Sequence, residues 1–296
     1  MSADTNPTGD TTGGQDGTSA GRTTVAPGSK HILEAIVGRE LRTVVRTRTF
    51  FVLGVAFAAV VFGIAWVSRS VRGGYVPTLV DLLTPMELLV PVVAVAYGYR
   101  AILGDAQRGE LDVLKTYPVS NREIVLGVYT GRAVGLVTTL VVPLVLVAVT
   151  VFVVEDEGRT LYASHSGVDS PILFARFVVL TILFALTVLA VAIAISAMVS
   201  STRSALALSV VALVVLLVGI DLALVYGFSA GIIGDSSLIH VLAISPLSAY
   251  RGLVFESAII VAAGTGPAAA SPISSLLSFV VWTAASLGIA TWLLNR

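Results

Sequence analysis

Six runs of this chain, residues 49–67, 84–104, 130–154, 172–199, 206–228 and 274–294, are each long and apolar enough to cross a lipid bilayer. Bridging about 30 Å of hydrocarbon takes about 20 apolar residues wound as a helix. Only a helix satisfies every backbone N–H and C=O within its own segment at that depth, barrels apart. The runs therefore predict an all-α polytopic membrane protein with six transmembrane helices. Composition agrees, since only 12% of residues are charged where a soluble domain carries about 25%. Several runs exceed the minimum length, which permits tilt. Pro91 and Pro143 lie inside the second and third runs, and each predicts a kink by removing a helical hydrogen bond.

Ahead of the first run the chain changes character twice. Residues 1–29 are rich in Gly, Thr, Ser and Asp and hold no apolar run, so they are expected to be a disordered tail. With neither a basic nor an apolar region they do not read as a signal peptide. Over 30–48 a helical period appears. Leu33, Ile36, Val37, Leu41, Val44 and Val45 share one face and Arg39, Arg42 and Arg46 the other. This predicts an amphipathic interfacial helix with its basic face toward lipid headgroups. Glu40 breaks the apolar face. Two readings stand: a carboxylate snorkelling at the helix edge, or a contact with a cytoplasmic loop or partner subunit. The six-helix membrane domain then occupies 49–296.

Basic residues set the orientation. Lys30, Arg39, Arg42, Arg46 and Arg48 precede the first run. Arg100, Arg108, Lys115, Arg122 and Arg132 cluster between the second and third, Arg203 lies between the fourth and fifth, and Arg296 ends the chain. The opposite loops carry fewer cations and more acids, Glu155, Asp156, Glu157, Asp169, Asp235 and Glu256 among them. The positive-inside rule then places both termini in the cytoplasm of a multi-pass plasma-membrane protein. Of the two longer outer loops, 155–171 reads as polar surface. The loop 229–273 reads as short helices at the outer interface, with Tyr250 and Arg251 at headgroup level.

Chemistry is sparse. The chain has no cysteine, which excludes disulfides and thiolate metal sites. His31, His165 and His240 are scattered, with no HExxH motif or metal-ligand spacing, so no metal or other cofactor is expected. No GxxxxGK[ST] phosphate loop and no GxSxG elbow occur. The chain is thus expected not to be an enzyme, and any ATPase must sit on another polypeptide. A formal net charge of zero argues against a nucleic-acid partner. Asp221 is the one acid deep inside an apolar run. It either pairs with Arg176 of the fourth run or takes part in a transport path. Glu87, near the outer start of the second run, carries the same two readings.

The connection 104–131, GDAQRGELDVLKTYPVSNREIVLGVYTG, is the most informative segment. Arg108–Tyr117 is expected to form a short amphipathic helix with Leu111 and Leu114 on one face, and Pro118 ends it. Ser120 begins the next helix, with Glu123 three residues on as a capping box. Such a crossbar lying on the cytoplasmic surface suits docking into a soluble partner, although an ordinary turn between spans would also fit.

These residues resemble the permease subunits of type-2 ABC exporters, the ABC-2 membrane-domain fold. In that family an acidic-x-x-x-Gly-x-Leu-x-x-Leu segment precedes Pro-Val-Ser and Ile-x-x-Gly, and this chain supplies Asp105, Gly109, Leu111, Leu114, Pro118, Val119, Ser120, Ile124 and Gly127 in that order. It departs with Glu110 in place of the common threonine and Asn121 in place of a basic residue. An Arg-Glu-Leu at 39–41, six spans and a long outer segment before the last extend the likeness. The resemblance implies a transporter half that pairs as a homodimer or with a second permease and binds cytoplasmic ABC ATPase subunits. Asp105, Arg108, Gly109, Glu110, Leu111, Leu114, Tyr117, Pro118, Val119 and Ser120 would form the ATPase-coupling segment, its core a coupling helix. It further implies a path, for export, along a dimer interface built mainly from the second and fifth spans. The segment 244–253, ISPLSAYRGL, is similar to one in permeases serving nitrous-oxide-reductase maturation, systems associated with copper. Beyond Met1, only Met86 and Met198 would offer that soft ion a thioether. An energy-independent transporter or channel, expected to show inverted repeats, and a non-transporting membrane scaffold are the alternatives.

Overall fold

The computed structural model describes residues 37–40, 47–110, 119–154, 169–234, 237–264 and 270–295, and among these every regular element is helical. After a helical segment at 37–40 come α1 (Arg48–Val67), α2 (Tyr75–Gly98), α3 (Ala101–Gln107), α4 (Asn121–Val154) and α5 (Pro171–Met198). Then follow α6 (Thr202–Ser229), α7 (Leu238–Leu242), α8 (Pro246–Ala263) and α9 (Pro272–Leu294). Helices α6 and α8 each contain a π turn, at Val215–Gly219 and Phe255–Ile259. The expected tail 1–29, most of the interfacial helix, the outer loop 155–168 and residues Leu111, Leu114, Tyr117 and Pro118 lie outside the described residues.

Among the described residues seven helices, against the six expected, are long and apolar enough to cross a membrane, the additional one being α8. The expected second run also begins earlier, at Tyr75. Asp169, just ahead of α5, accepts hydrogen bonds from the backbone N–H groups of Tyr75 and Val76 at 2.7 and 2.8 Å. A carboxylate at a helix N-terminus satisfies donors the helix itself cannot, and this one comes from a distant part of the chain. The helix α4 likewise starts well before its apolar run, at Asn121, where Ser120 and Glu123 form the expected reciprocal cap. Ser120 N donates to Glu123 Oε2 at 2.8 Å and Glu123 N to Ser120 Oγ at 3.3 Å.

The helix α5 is the hub. Within its most apolar window 67% is buried, against 11% for α6, so α5 holds the core and α6 rides on its edge. It packs on α2, α4, α8 and α9. Close approach to α2 depends on Gly98, where a Cβ would come within 2.5 Å of Ala192 Cβ. Immediately after Gly98 the second span breaks at Tyr99 and Arg100. Its continuation α3 starts under Ser196 of α5, whose hydroxyl accepts from the N–H groups of Ile102 and Leu103 at 3.1 and 3.0 Å. At the same end, Asn121 donates to the Leu294 carbonyl at 3.1 Å and ties α4 to the last turn of α9.

Contacts of α7 and α8 show how the expected outer helices sit. His240 lies 2.9 Å from Ser274 at the start of α9, whereas the Ile244 carbonyl accepts from Trp282 Nε1 at 3.0 Å, further along the same helix. Climbing α8, Tyr250 meets Thr181 at 3.0 Å and the Ser257 carbonyl accepts from Arg176 at 2.8 Å, successively nearer the start of α5. The bend at Ser245–Pro246 is thus sunk into the bundle, while His240 of α7 and Ser257 of α8 lie nearer the end marked by Pro171 and Pro272. Tyr250 is fully buried and stacked on Phe184, ring centroids 4.9 Å apart. The ring, expected at headgroup level, thus packs inside the bundle. An aromatic ring with its hydroxyl bonded is more stable in a packed core than at a surface.

Candidate functional site

At the bundle end where α3 leaves the core, three arginines and three carboxylates interlock. Arg39 of the 37–40 segment reaches Asp105 at 2.6 Å, Glu40 at 3.0 Å and Glu110 at 3.0 Å. Arg108 holds the other oxygen of Asp105 at 2.7 Å and Glu110 at 2.7 Å. Arg132 Nε, about three turns into α4, lies 2.8 Å from Glu40 Oε2. That N–H is not aimed at the oxygen, so the attraction is Coulombic and neither atom has a hydrogen bond.

Local sequence explains why the cluster closes here. Gly109 adopts a left-handed φ of +71°, a conformation glycine enters without steric cost. Its N–H bonds the Ala106 carbonyl at 3.1 Å, so α3 ends and the chain turns, bringing Arg108 and Glu110 back over Asp105. The crossbar helix expected to begin at Arg108 therefore begins no earlier than Glu110, because Arg108 and Gly109 form the turn. Glycine matters again at Gly131. A Cβ there would collide with the Cβ of Glu40 and reach its Cγ at 3.0 Å. The missing side chain is what lets the 37–40 segment lie against α4.

Electrostatics follow from burial. Asp105 and Glu40 are almost wholly buried, at 1% and 2% exposure. Desolvation pushes the Glu40 carboxyl above the usual glutamate range, opposed by Arg132 and Arg39 and reinforced by Asp105. Burial alone would lower Arg39, but Asp105 and Glu40 outweigh it and the guanidinium is held above its ordinary value. The hydrogen bond from Arg108 draws Glu110 below the usual range. Beneath the ions lies an aromatic floor. The Arg132 guanidinium sits 5.4 Å from the Phe50 ring centroid, Phe50 stacks on Tyr97 at 4.4 Å, and the Tyr97 hydroxyl meets Thr139 at 2.6 Å. The arrangement contains no nucleophile–base pair. What it can do is hold three elements, 37–40, α3 and α4, at fixed distances around the start of the segment 110–120.

Of the residues named from sequence, Asp105, Arg108 and Glu110 are brought together, and Gly109 makes their turn. Val119 packs against the core and Ser120 caps α4. Sequence reasoning left Arg39 as a lipid-facing charge and Arg132 as an orientation signal. The clue to both was Glu40, an acid on an apolar face with an arginine standing inside the third apolar run. The suggested Arg176–Asp221 pair does not form among the described residues. Arg176 donates to the Ser257 carbonyl instead, and Asp221 accepts from Ser248 Oγ at 3.0 Å. The sunken α8 places its own polar groups between the fourth and fifth spans, which a pattern of runs alone does not reveal. Glu87 pairs with Arg251 of α8 through two hydrogen bonds, that from Nε at 2.7 Å.

Long apolar helices packed around α5, with buried ion pairs at the turn out of α3, define a class, the multi-pass membrane proteins. More particularly, the chain belongs to the ABC-2 transporter family: residues 34–296 match the family described as ABC-2 family transporter protein. It is similar to the probable ABC transporter permease protein NosY of Pseudomonas aeruginosa, 29% identical over 281 residues that cover 90% of this chain and 98% of that one. It is also similar to the protein of that name from Stutzerimonas stutzeri, 28% identical over 226 residues covering 73% and 78%. The chain is therefore a multi-pass ABC transporter membrane subunit.

Proposed function

We propose that this protein is the permease half of an ATP-driven exporter, in which the segment Asp105–Ser120 receives the stroke of a cytoplasmic ABC ATPase. Six helices cross the bilayer, both termini face the cytoplasm, and α7–α8 form a hairpin that enters from the outer side and returns to it. The depths of Ile244, Tyr250 and Ser257 along α9 and α5 support that topology. The chain works as a pair, either with itself or with a second permease. Both similar proteins are named NosY permeases, and we place this chain in the same functional branch.

The observation that carries the reading is the buried ion cluster at the root of the segment. A lever transmits force only if its root does not give. Asp105 holds Arg39 and Arg108 at once, and Glu40 links Arg39 to Arg132, so movement of the segment is shared with α3 and α4 together. Co-purification tests the assembly. Affinity capture of the full chain from its native host should bring an ABC ATPase with it. Capture free of any ATPase, from gently solubilised membranes, removes the proposal. Leu111→Asp with Leu114→Asp should leave membrane insertion intact while severing ATP hydrolysis from transport.

A further inference from the structure

We propose that Asn121 and the last turn of α9 form a clasp that is a second root of the coupling segment, passing movement of its far end along α9 to the outer α7–α8 hairpin. This deepens the exporter reading above and rests on it. The segment 110–120 is held at its start by the ion cluster. It ends at the first turn of α4, which the reciprocal cap of Ser120 and Glu123 holds in place. Asn121 follows at once. Its Nδ2 donates to the Leu294 carbonyl at 3.1 Å and to Asn295 Oδ1 at 2.6 Å.

The amide serves α9 rather than its own helix. A backbone carbonyl only accepts, so the Leu294 contact fixes which way the Asn121 side chain turns. That carbonyl belongs to the last turn of α9, where the helix offers its own C=O groups no partner. The N-terminus of α4, by contrast, favours acceptors and negative charge and has no use for a donor at this position. Leu294 is itself buried in the core, so the clasped turn is packed as well as bonded.

From the clasp, α9 runs unbroken to the outer end. Its 23 residues cover about 35 Å at 1.5 Å per residue. Its one proline stands at the first position, whereas α2 and α4 hold internal prolines and α6 and α8 hold π turns. Two bonds join its outer half to the hairpin: Ser274 with His240 of α7, and Trp282 Nε1 with the Ile244 carbonyl just before the bend at Ser245–Pro246. Rigid elements of this kind carry coupling between distant sites. The path runs from the end of the coupling segment to the hairpin without passing through α2.

Two substitutions in the full chain separate the needs of α4 from those of α9. Asn121→Asp swaps the donor for an acceptor that the Leu294 carbonyl repels but the N-terminus of α4 favours, and Asn121→Lys does the reverse. Monodisperse elution in detergent establishes the fold of each. Without the ATPase, hydrogen exchange over 292–295 should quicken about five-fold in Asn121→Asp and stay near the parent rate in Asn121→Lys. With the ATPase, Ser237→Cys at the head of α7 reports the outer end, since the chain has no cysteine of its own. ATP should change its labelling rate with an impermeant methanethiosulfonate about three-fold. Asn121→Asp should abolish that change and Asn121→Lys keep it. Unaltered exchange in Asn121→Asp overturns the clasp. An ATP effect that survives Asn121→Asp, or is missing from the parent complex, overturns transmission along α9. Loss of the ATPase from Asn121→Asp assigns the residue to docking and overturns it too. Because the exchange measurement does not involve the ATPase, its failure leaves the co-purification result standing, and the reverse holds.

Discussion

Gly131 decides whether the N-terminal segment can seat at all. A methyl group there meets the Glu40 side chain head on, and forcing atoms into a packed contact costs about 1–3 kcal/mol. Gly131→Ala should therefore lower thermal stability in detergent, while Gly54→Ala, whose nearest neighbour would be Thr139 at an ordinary 3.6 Å, should not. Equal melting temperatures for the two variants would show that 37–40 yields freely. Glu40 adds a pH signature. Its carboxyl is raised by burial, so it binds a proton more tightly folded than unfolded. Its contribution to stability is fullest below the usual glutamate value and declines as pH rises through the folded one. Glu110, lowered by Arg108, has the opposite sign: its stabilisation is present above the usual value and lost as pH falls through the lowered one. The two windows lie on either side of about pH 4.3. Melting curves of Glu40→Gln across that range should lose the upper decline and keep the acid-side loss. A decline that persists unchanged assigns it to some other group.

Elements were legible where apolar length alone defines them and illegible where a distant residue sets their ends. Four of the seven long helices coincide with apolar runs to within a few residues. The starts of α2 and α4 do not, because polar first turns survive only when something caps them. For α4 the cap is local, Ser120 with Glu123, and so readable. For α2 it is Asp169, far along the chain. Likewise, α8 reads as an interfacial stretch because Arg251 and Glu256 interrupt its apolar run, and the Glu87 partner of Arg251 lies far away in the chain. The ion cluster was half legible, since the turn at Gly109 and the acids around it stand in one motif, whereas Arg39 and Arg132 join through tertiary packing. The cap on α2 yields a prediction at this scale. Asp169→Ala should expose the N–H groups of Tyr75 and Val76, costing about 1 kcal/mol. Hydrogen exchange at the first turn of α2 should accelerate, with Asp169→Asn showing most of the wild-type protection. No acceleration would mean that packing alone holds that turn.

For the whole molecule the question is whether two distant sites talk. The ion cluster lies at one end of the second span, whereas the seam where Arg251 meets Glu87 and Ser248 meets Asp221 touches that span near its middle. Between them the span breaks once, at Tyr99–Arg100, and is pinned there by Ser196 and the close packing of Gly98. A rigid α2 rooted in α3 carries displacement from one to the other, since coupling between distant sites travels through elements with discrete arrangements. ATP added to membranes holding the permease and its ATPase should then change the labelling rate at Ser248→Cys. A tenfold change corresponds to about 1.4 kcal/mol of coupling. Asp105→Asn removes the counter-ion that Arg39 and Arg108 share while touching nothing at the seam. It should reduce the nucleotide effect to about two-fold or less, with the ATPase still bound and still hydrolysing. If the full effect persists in Asp105→Asn, the stroke reaches the seam by a route that bypasses the cluster, and the root of the lever lies elsewhere.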